Sequence, residues 1–206
     1  AGPGRAPAGT ALVEMASMAR RVIDQEAPGT LLLSPGFVSN PERLALFLRS
    51  GGKHYVDVIA YHFYSSDARR FAEQVLAVRR VMEKEGVGGL PLWNTETGLE
   101  IWPEGSALPP GAVWRSKEDA AAQMAQFMLL GAAAGIQRFH HHGWDGRMSK
   151  LVDEQGRPQP SHGVLAGLLP WLRNVSLGPC GQRHQLVECR GATLDGGTEY
   201  SFVWSD

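Results

Sequence analysis

The sequence has few cysteines, no excess of one charge and no long apolar run, and each absence excludes a class of protein. Its 206 residues include two cysteines, too few for a disulfide framework or a structural zinc site. Twenty basic and twenty-one acidic residues give a net charge of −1, which excludes electrostatic capture of nucleic acid or of an anionic membrane. No apolar run approaches the roughly 18 residues that span a bilayer. With 43% apolar residues the chain can still bury a sizeable core.

Strand and helix patterns alternate along the chain and predict an α/β fold. The run Thr30–Ser34 is mainly apolar, as in a parallel strand covered on both faces. Further strands are predicted at Tyr55–Tyr64, Leu90–Thr95 and Ile136–His142, with amphipathic helical patterns between them. Strands that alternate with helices form a parallel sheet. Two architectures fit, a doubly wound open sheet and part of a (β/α)8 barrel.

Local signals predict where the helices begin. Residues 1–9 contain two prolines and three glycines and are predicted to be a loop, followed by a helix from about Leu12. Asn40 before a proline and Ser116 before an acidic turn are predicted N-caps. The last helix is predicted from about Pro160.

Polar and aromatic residues at the strand ends favour the barrel over the open sheet. The glycine fingerprint of many nucleotide-binding open sheets is missing. A (β/α)8 barrel builds its active site at the C-terminal ends of its strands, and it needs eight strands and typically about 250 residues. We therefore expect residues 1–176 to be the second half of such a barrel, strands five to eight. The residues at these ends are His62, Tyr64, Glu96, His140, His142 and Trp144.

The tail of the chain has a different pattern. His184–Arg190 and Glu199–Trp204, joined through Asp195-Gly196-Gly197, predict a β-hairpin. Residues 177–206 are therefore expected to begin an accessory β-domain. Cys180 and Cys189 lie beside this hairpin and either pair, if the protein is secreted, or remain free thiols.

Alternation along the strands predicts which side chains face the barrel interior. Small residues suit a narrow interior, so Val58 and Ala60 are expected inside, which also places His62 and Tyr64 there. The same alternation puts Leu92, Asn94 and Glu96 on one face. A carboxylate at the end of this strand is either placed to attack a substrate in the barrel mouth or is a solvated loop glutamate.

The histidines allow a second chemistry. His140 and His142 point the same way from a regular strand, and with His62 they could bind a metal ion. The first alternative function is therefore a metal-dependent barrel hydrolase. A satisfied core histidine is the structural alternative at His62.

Three segments together resemble one group of enzymes. The sequence PLWNTETG at 91–98, with a preceding HFY and a following RFHHHGWD, resembles strands seven, six and eight of clan A retaining glycoside hydrolases, with the closest similarity to families 5 and 39. The resemblance implies that Glu96 is the nucleophile and that Tyr64, beside His62, hydrogen-bonds it. It also implies that Trp144 forms the floor of the subsite for the cleaved sugar. The segment SPGF at 34–37 resembles the end of strand five.

The chain departs from this group in one main respect. The general acid/base of the clan is a glutamate after an asparagine at the end of strand four, and no Asn-Glu pair occurs here. We expect that residue on a missing N-terminal half, and little or no hydrolysis by this chain alone. The expected partner is a carbohydrate, with no cofactor, nucleic acid or membrane. The expected substrate contacts are His62, Tyr64, Asn94, Trp102, His140, His142 and Trp144. A non-catalytic sugar-binding barrel is the second alternative.

Overall fold

Helices and strands alternate through most of the chain, and a second sheet follows them. The computed structural model describes residues 8–99, 107, 115–145 and 150–205. The alternating part consists of α1 (Ala8–Glu26), β1 (Phe37–Val38), α2 (Pro41–Arg49), a short 3-10 helix (Gly52–His54), β2 (Ile59–His62), α3 (Ala68–Lys84), β3 (Leu92–Thr97), α4 (Lys117–Ala133), β4 (Ile136–His141) and α5 (Pro160–Leu172). The second sheet consists of β5 (Val175–Leu177), β6 (Gly181–Arg183), β7 (Leu186–Thr193) and β8 (Glu199–Ser205).

The first sheet is parallel and its strands follow one another in chain order, β1-β2-β3-β4. A doubly wound sheet reverses its strand order at a switch point. No such reversal occurs among the described strands, and each helix returns the chain to the next strand along. This is the order of consecutive units in a (β/α)8 barrel. The α/β fold and the half-barrel arrangement predicted from the sequence are therefore confirmed.

Side-chain caps begin the helices where the sequence predicts them. The Asn40 side chain accepts a hydrogen bond from the Glu42 N–H, with Pro41 at the first helical position. The Ser116 hydroxyl accepts one from the Asp119 N–H at 3.0 Å. Both N-caps are confirmed. Helix α1 begins at Ala8, inside the segment predicted to be a loop.

The main core lies between the parallel sheet and its helices. Ile59, Tyr61 and Phe63 are buried there among residues of α2, α3 and α4. The rings of Phe71 on α3 and Phe127 on α4 stack with centroids 4.5 Å apart and an interplanar angle of 10°. The opposite-facing Val58 and Ala60 are buried but lie outside this cluster. The two faces predicted for this strand are therefore confirmed.

The strand predicted at Thr30–Ser34 is mostly absent. Leu33 forms only an isolated bridge with Val58, and regular pairing starts at Phe37 opposite Tyr61. The interruption falls at Pro35, which has no N–H to donate to a sheet. The Ser34 hydroxyl accepts the Ala60 N–H at 2.9 Å and so replaces a backbone bond at this point.

The second sheet is antiparallel and has more strands than the sequence predicted. The hairpin of β7 and β8 is confirmed, but β5 and β6 also pair with β7. Each of these two strands has three residues, too short for a recognisable period. Cys180 and Cys189 form a disulfide bond, which decides between the two alternatives left open by the sequence. The Trp171 ring of α5 contacts Tyr200 and Phe202 of β8 edge-on.

The parallel sheet has open edges within the described residues. There β1 pairs only with β2, and β4 only with β3. Met15, Met18 and Val22 also form an exposed apolar stripe on α1. No described helix has the length and apolar character needed to cross a membrane.

We expect Phe127→Ala to lower the free energy of unfolding by about 3–5 kcal/mol, because it leaves a cavity beside Phe71. Urea unfolding followed by circular dichroism at low protein concentration measures this change. Val203→Ala is the matched control, since Val203 is 54% exposed on β8. A smaller loss for Phe127→Ala than for Val203→Ala would contradict the described packing.

We also expect the isolated chain to self-associate through its open edges, because unpaired strand groups and exposed apolar side chains favour pairing with other chains. Sedimentation velocity over a range of concentrations measures this. A monomer at all concentrations with a high, cooperative melting temperature would count against a half-barrel.

Candidate active site

The position of Glu96 depends on an irregularity in the register of β3. Tyr61 pairs with Asn94, but the next residue of β2, His62, pairs with Glu96. Thr95 is therefore an extra residue between the two pairs. Since neighbouring residues of β2 face opposite ways, Asn94 lies on the helix side with Tyr61, and Glu96 lies on the barrel side with His62.

This geometry corrects the prediction for Asn94. Regular alternation placed Leu92, Asn94 and Glu96 on one face, and that prediction is wrong because of the extra residue. The Asn94 side chain is completely buried, and its amide atoms have no hydrogen-bond partner among the described residues. The backbone carbonyl oxygen of Asn94 contacts the His140 Nδ1 at 3.1 Å.

Two side chains hold the Glu96 carboxylate. The Tyr64 hydroxyl donates a hydrogen bond to Oε1, and the His62 Nδ1 lies 3.3 Å from Oε2. The Glu96 side chain remains 35% exposed. The carboxylate is thus fixed on one side and open on the other, which is the arrangement that a nucleophile needs.

Backbone bonds join the ends of the strands that carry this group. The Phe63 N–H donates to the Glu96 carbonyl at 3.0 Å, and the Thr97 hydroxyl donates to the Phe63 carbonyl at 2.6 Å. The Gln74 side chain of α3 donates to the Tyr64 carbonyl at 2.9 Å. These bonds fix the backbone on both sides of the Tyr64–Glu96 contact.

The environment of Tyr64 favours its neutral phenol. Burial raises the pKa of Tyr64 most, and the hydrogen bond to Glu96 and the negative charge of that group raise the pKa further. The hydroxyl therefore keeps its proton at neutral pH and stays a donor. The His142 Nδ1 lies 3.3 Å from the same hydroxyl oxygen and 3.9 Å from the Glu96 Oε1.

Gly36 is a site residue that the sequence analysis missed. A Cβ built on Gly36 would lie 2.5 Å from the His62 Nε2, so a larger residue would displace the imidazole. The Pro-Gly pair indicated only a turn. The resemblance of SPGF to the end of strand five indicated that this segment lies near the site. It did not indicate that Gly36 contacts His62.

The structure brings some of the predicted site residues together and separates others. Glu96, His62, Tyr64 and His142 come together, whereas His140 contacts the Asn94 carbonyl. Trp144 is 63% exposed, so its predicted role as the floor of a subsite stays a prediction. Trp102 lies outside the described residues.

The described histidines do not form a metal site. Within the described ranges, no three His, Cys, Asp or Glu residues are arranged to hold a metal ion. The His62 and His142 Nδ1 atoms face Glu96 and Tyr64, while His140 contacts a backbone carbonyl. The metal-dependent alternative therefore has no ligand set in this part of the chain.

We expect Glu96→Gln to lower the pKa of Tyr64, because it removes a negative charge beside the phenol. Phenolate absorbance during alkaline titration measures this, with Tyr64→Phe identifying the Tyr64 contribution. Tyr61 is the internal control: burial raises its pKa to about 12, and its charged neighbour is Arg43.

The sign of the effect on stability follows from the same shift. A phenol with a raised pKa stabilises the folded chain fully below its ordinary pKa of 10.0, and this contribution is lost as the pH rises through the folded-state pKa. The chain loses stability at alkaline pH in part because Tyr64 ionises, and Tyr64→Phe measures that part. Glu96→Gln should make this part smaller, because it lowers the Tyr64 pKa. An unchanged Tyr64 titration in Glu96→Gln would contradict the contact.

The chain resembles solved glycoside hydrolases in fold. No known protein family matches its sequence, and no curated protein matches it significantly. The GH51 α-L-arabinofuranosidase from Thermotoga petrophila RKU-1 superposes with a TM-score of 0.71 at 11% identity, over 97% of this chain and 48% of that one. A family 39 glycoside hydrolase from Bacteroides cellulosilyticus WH2 gives 0.70 at 16% identity, over 94% and 44%.

A third neighbour supports the same fold. The glucosidase from Croceicoccus marinus gives a TM-score of 0.65 at 14% identity, over 92% of this chain and 45% of that one. The chain thus spans less than half the length of each of these three enzymes. At these identities the likeness concerns the fold alone: the chain has the fold of part of a (β/α)8 barrel, as these glycoside hydrolases do.

Proposed function

We propose that this chain is the C-terminal half of the catalytic barrel of a retaining glycoside hydrolase, with Glu96 as its nucleophile. The observation that carries the proposal is the carboxylate at the C-terminal end of β3, held by Tyr64 and flanked by His62. The proposal is supported by the general rule that (β/α)8 enzymes build their active sites at the C-terminal ends of their strands. The glycosidase neighbours make a carbohydrate the expected substrate.

The contacts of Glu96 suit a nucleophile better than a proton donor. A carboxylate only accepts hydrogen bonds, and the Tyr64 hydroxyl supplies a donor to one of its oxygens. The other oxygen faces an imidazole nitrogen that can also donate. Donors at both oxygens would orient the carboxylate for attack on the anomeric carbon.

The reaction follows from the chemistry of two carboxyl groups. An oxygen of Glu96 attacks the anomeric carbon, the bond from that carbon to the leaving oxygen breaks, and a glycosyl-enzyme ester forms. A second carboxyl group protonates the leaving oxygen and later takes a proton from the water that hydrolyses the ester. In retaining enzymes the two groups are about 5–5.5 Å apart.

We assign the second carboxyl group to a part of the barrel outside this sequence. No Asn-Glu pair occurs in the chain, and the chain spans less than half the length of its enzymatic neighbours. The predicted boundary after residue 176 falls within β5 (Val175–Leu177), so we propose that the barrel half ends before β5 and that the accessory β-domain begins with it. The Cys180–Cys189 disulfide supports an oxidising compartment for the protein.

The experiment tests Glu96 without the second carboxyl group. Dinitrophenyl 2-deoxy-2-fluoro glycosides have a leaving group that needs no protonation, and the fluorine slows hydrolysis of the ester. We expect the β-glucoside, β-galactoside or α-L-arabinofuranoside to label the chain with one glycosyl unit, on the peptide that contains Glu96. Mass spectrometry of the intact chain and of its peptides measures this.

Two variants make the result specific. Glu96→Gln should abolish labelling, whereas Glu154→Gln should leave it unchanged, because Glu154 is an exposed turn residue. Label that persists in Glu96→Gln, or that lies on another residue, would contradict the assignment. Sugar binding without any label would favour the non-catalytic sugar-binding alternative.

A further inference from the structure

We propose that His142 is a positioning residue that directs the Tyr64 hydroxyl onto Glu96 and leaves its own Nε2 as a hydrogen-bond acceptor for a sugar hydroxyl. The first half concerns only the contacts of the described residues. The second half rests on the proposed function. Both halves follow from the hydrogen-bond donors and acceptors of the His142 imidazole, the Tyr64 hydroxyl and the Glu96 carboxylate.

The direction of the hydrogen bonds is determined by Tyr64. Its hydroxyl has one hydrogen, which it donates to the Glu96 carboxylate. The Tyr64 oxygen can then only accept from the His142 Nδ1, 3.3 Å away. The Nδ1 must therefore carry a hydrogen, and the bonds run in one direction, from His142 to Tyr64 to Glu96.

His142 acts on Glu96 through Tyr64 rather than directly. The His142 Nδ1 is 3.9 Å from the nearer Glu96 oxygen, which is too long for a hydrogen bond. Without the imidazole donor, the Tyr64 hydroxyl oxygen would lose the hydrogen bond that it accepts and that orients the hydroxyl group. The hydroxyl could then rotate away from the carboxylate.

The tautomer determines what the rest of the ring can do. A neutral imidazole with its hydrogen on Nδ1 has an unprotonated Nε2, which is an acceptor. Nε2 lies across the ring from Nδ1, and the His142 side chain is 58% exposed. His62 differs, because its Nε2 is packed against Gly36. Of these two histidines, His142 has the more exposed side chain, and an acceptor on it suits the hydroxyl groups of a carbohydrate.

Nitrogen NMR of the 206-residue chain at pH 8 tests the tautomer without requiring any activity. We expect the His142 ring to show a protonated Nδ1 and an unprotonated Nε2, the reverse of the form preferred by a free histidine side chain. Loss of the signals in His142→Asn assigns them among the seven histidines. A protonated Nε2 with an unprotonated Nδ1 would overturn the proposal.

Three variants separate the two roles of His142. Asparagine can place an amide N–H near the Nδ1 position, glutamine places a polar atom near Nε2, and phenylalanine does neither. We expect the Tyr64 ring-carbon resonance next to the hydroxyl to be kept in His142→Asn and shifted in His142→Gln and His142→Phe. Equal shifts in all three would show a merely structural role. His184→Asn, in the exposed turn before β7, is the control and should change nothing.

Labelling by the dinitrophenyl fluoro-glycoside that reacts with the unmodified chain tests the acceptor. For His142→Asn we expect an unchanged maximal rate and a half-saturating concentration higher by about three- to tenfold, the effect of one neutral hydrogen bond. For His142→Phe we expect the maximal rate to fall as well. An unchanged half-saturating concentration in His142→Asn would overturn the acceptor role. Absence of Glu96 labelling in the unmodified chain would instead overturn the proposed function, and the NMR result would still decide the hydrogen-bond direction.

Discussion

The extra residue Thr95 in β3 is the constraint on which the candidate site depends. Leu92 and Asn94 both lie on the helix side, so regular alternation would also turn Glu96 toward the helices. A carboxylate there would be enclosed in an apolar core, at a high desolvation cost. Because Thr95 is inserted into the register, Glu96 lies beside His62 and Tyr64 instead. The irregularity therefore moves Glu96 from a buried position to a partly exposed one.

The residues that surround and support Glu96 come from separate parts of the chain. Tyr64 follows β2, His142 follows β4, and the ring of His62 is accommodated by Gly36 before β1. Because β2, β3 and β4 are parallel, their C-terminal ends, which carry Tyr64, Glu96 and His142, reach the same edge of the sheet. No single segment builds the site. Its geometry is a property of the strand order, which explains how short, separate motifs can specify one arrangement.

The sequence predicts most of the fold because its signals are local. Asn40 and Ser116 are N-caps whose side chains bond within the next three residues, and both form as expected. The faces of β2 also follow from local alternation, with Tyr61 buried against the helices and His62 on the other side. Such features depend on few neighbours, so a pattern of residue types is enough to predict them.

The errors arise where pairing between strands decides the outcome. The position of Asn94 depends on the register with β2, and alternation within one strand cannot reveal an extra residue. Alternation along β4 predicted that His140 and His142 could bind one metal ion together. The structure gives them different partners, with His140 at the Asn94 carbonyl and His142 at the Tyr64 hydroxyl. The contact of Gly36 with His62 likewise joins residues that are distant in sequence.

Trp93 and Arg138, which precede the strand ends on the barrel side of the sheet, limit what can cover that side. Trp93 pairs with Ala60 on the barrel side, and the Arg138 guanidinium lies 4.2 Å above the Trp93 ring. Among the described residues, Arg138 forms no ion pair with a carboxylate. A guanidinium enclosed in a closed barrel is costly unless it is paired and hydrogen-bonded. Strands that close over this face must therefore bring an acceptor to Arg138.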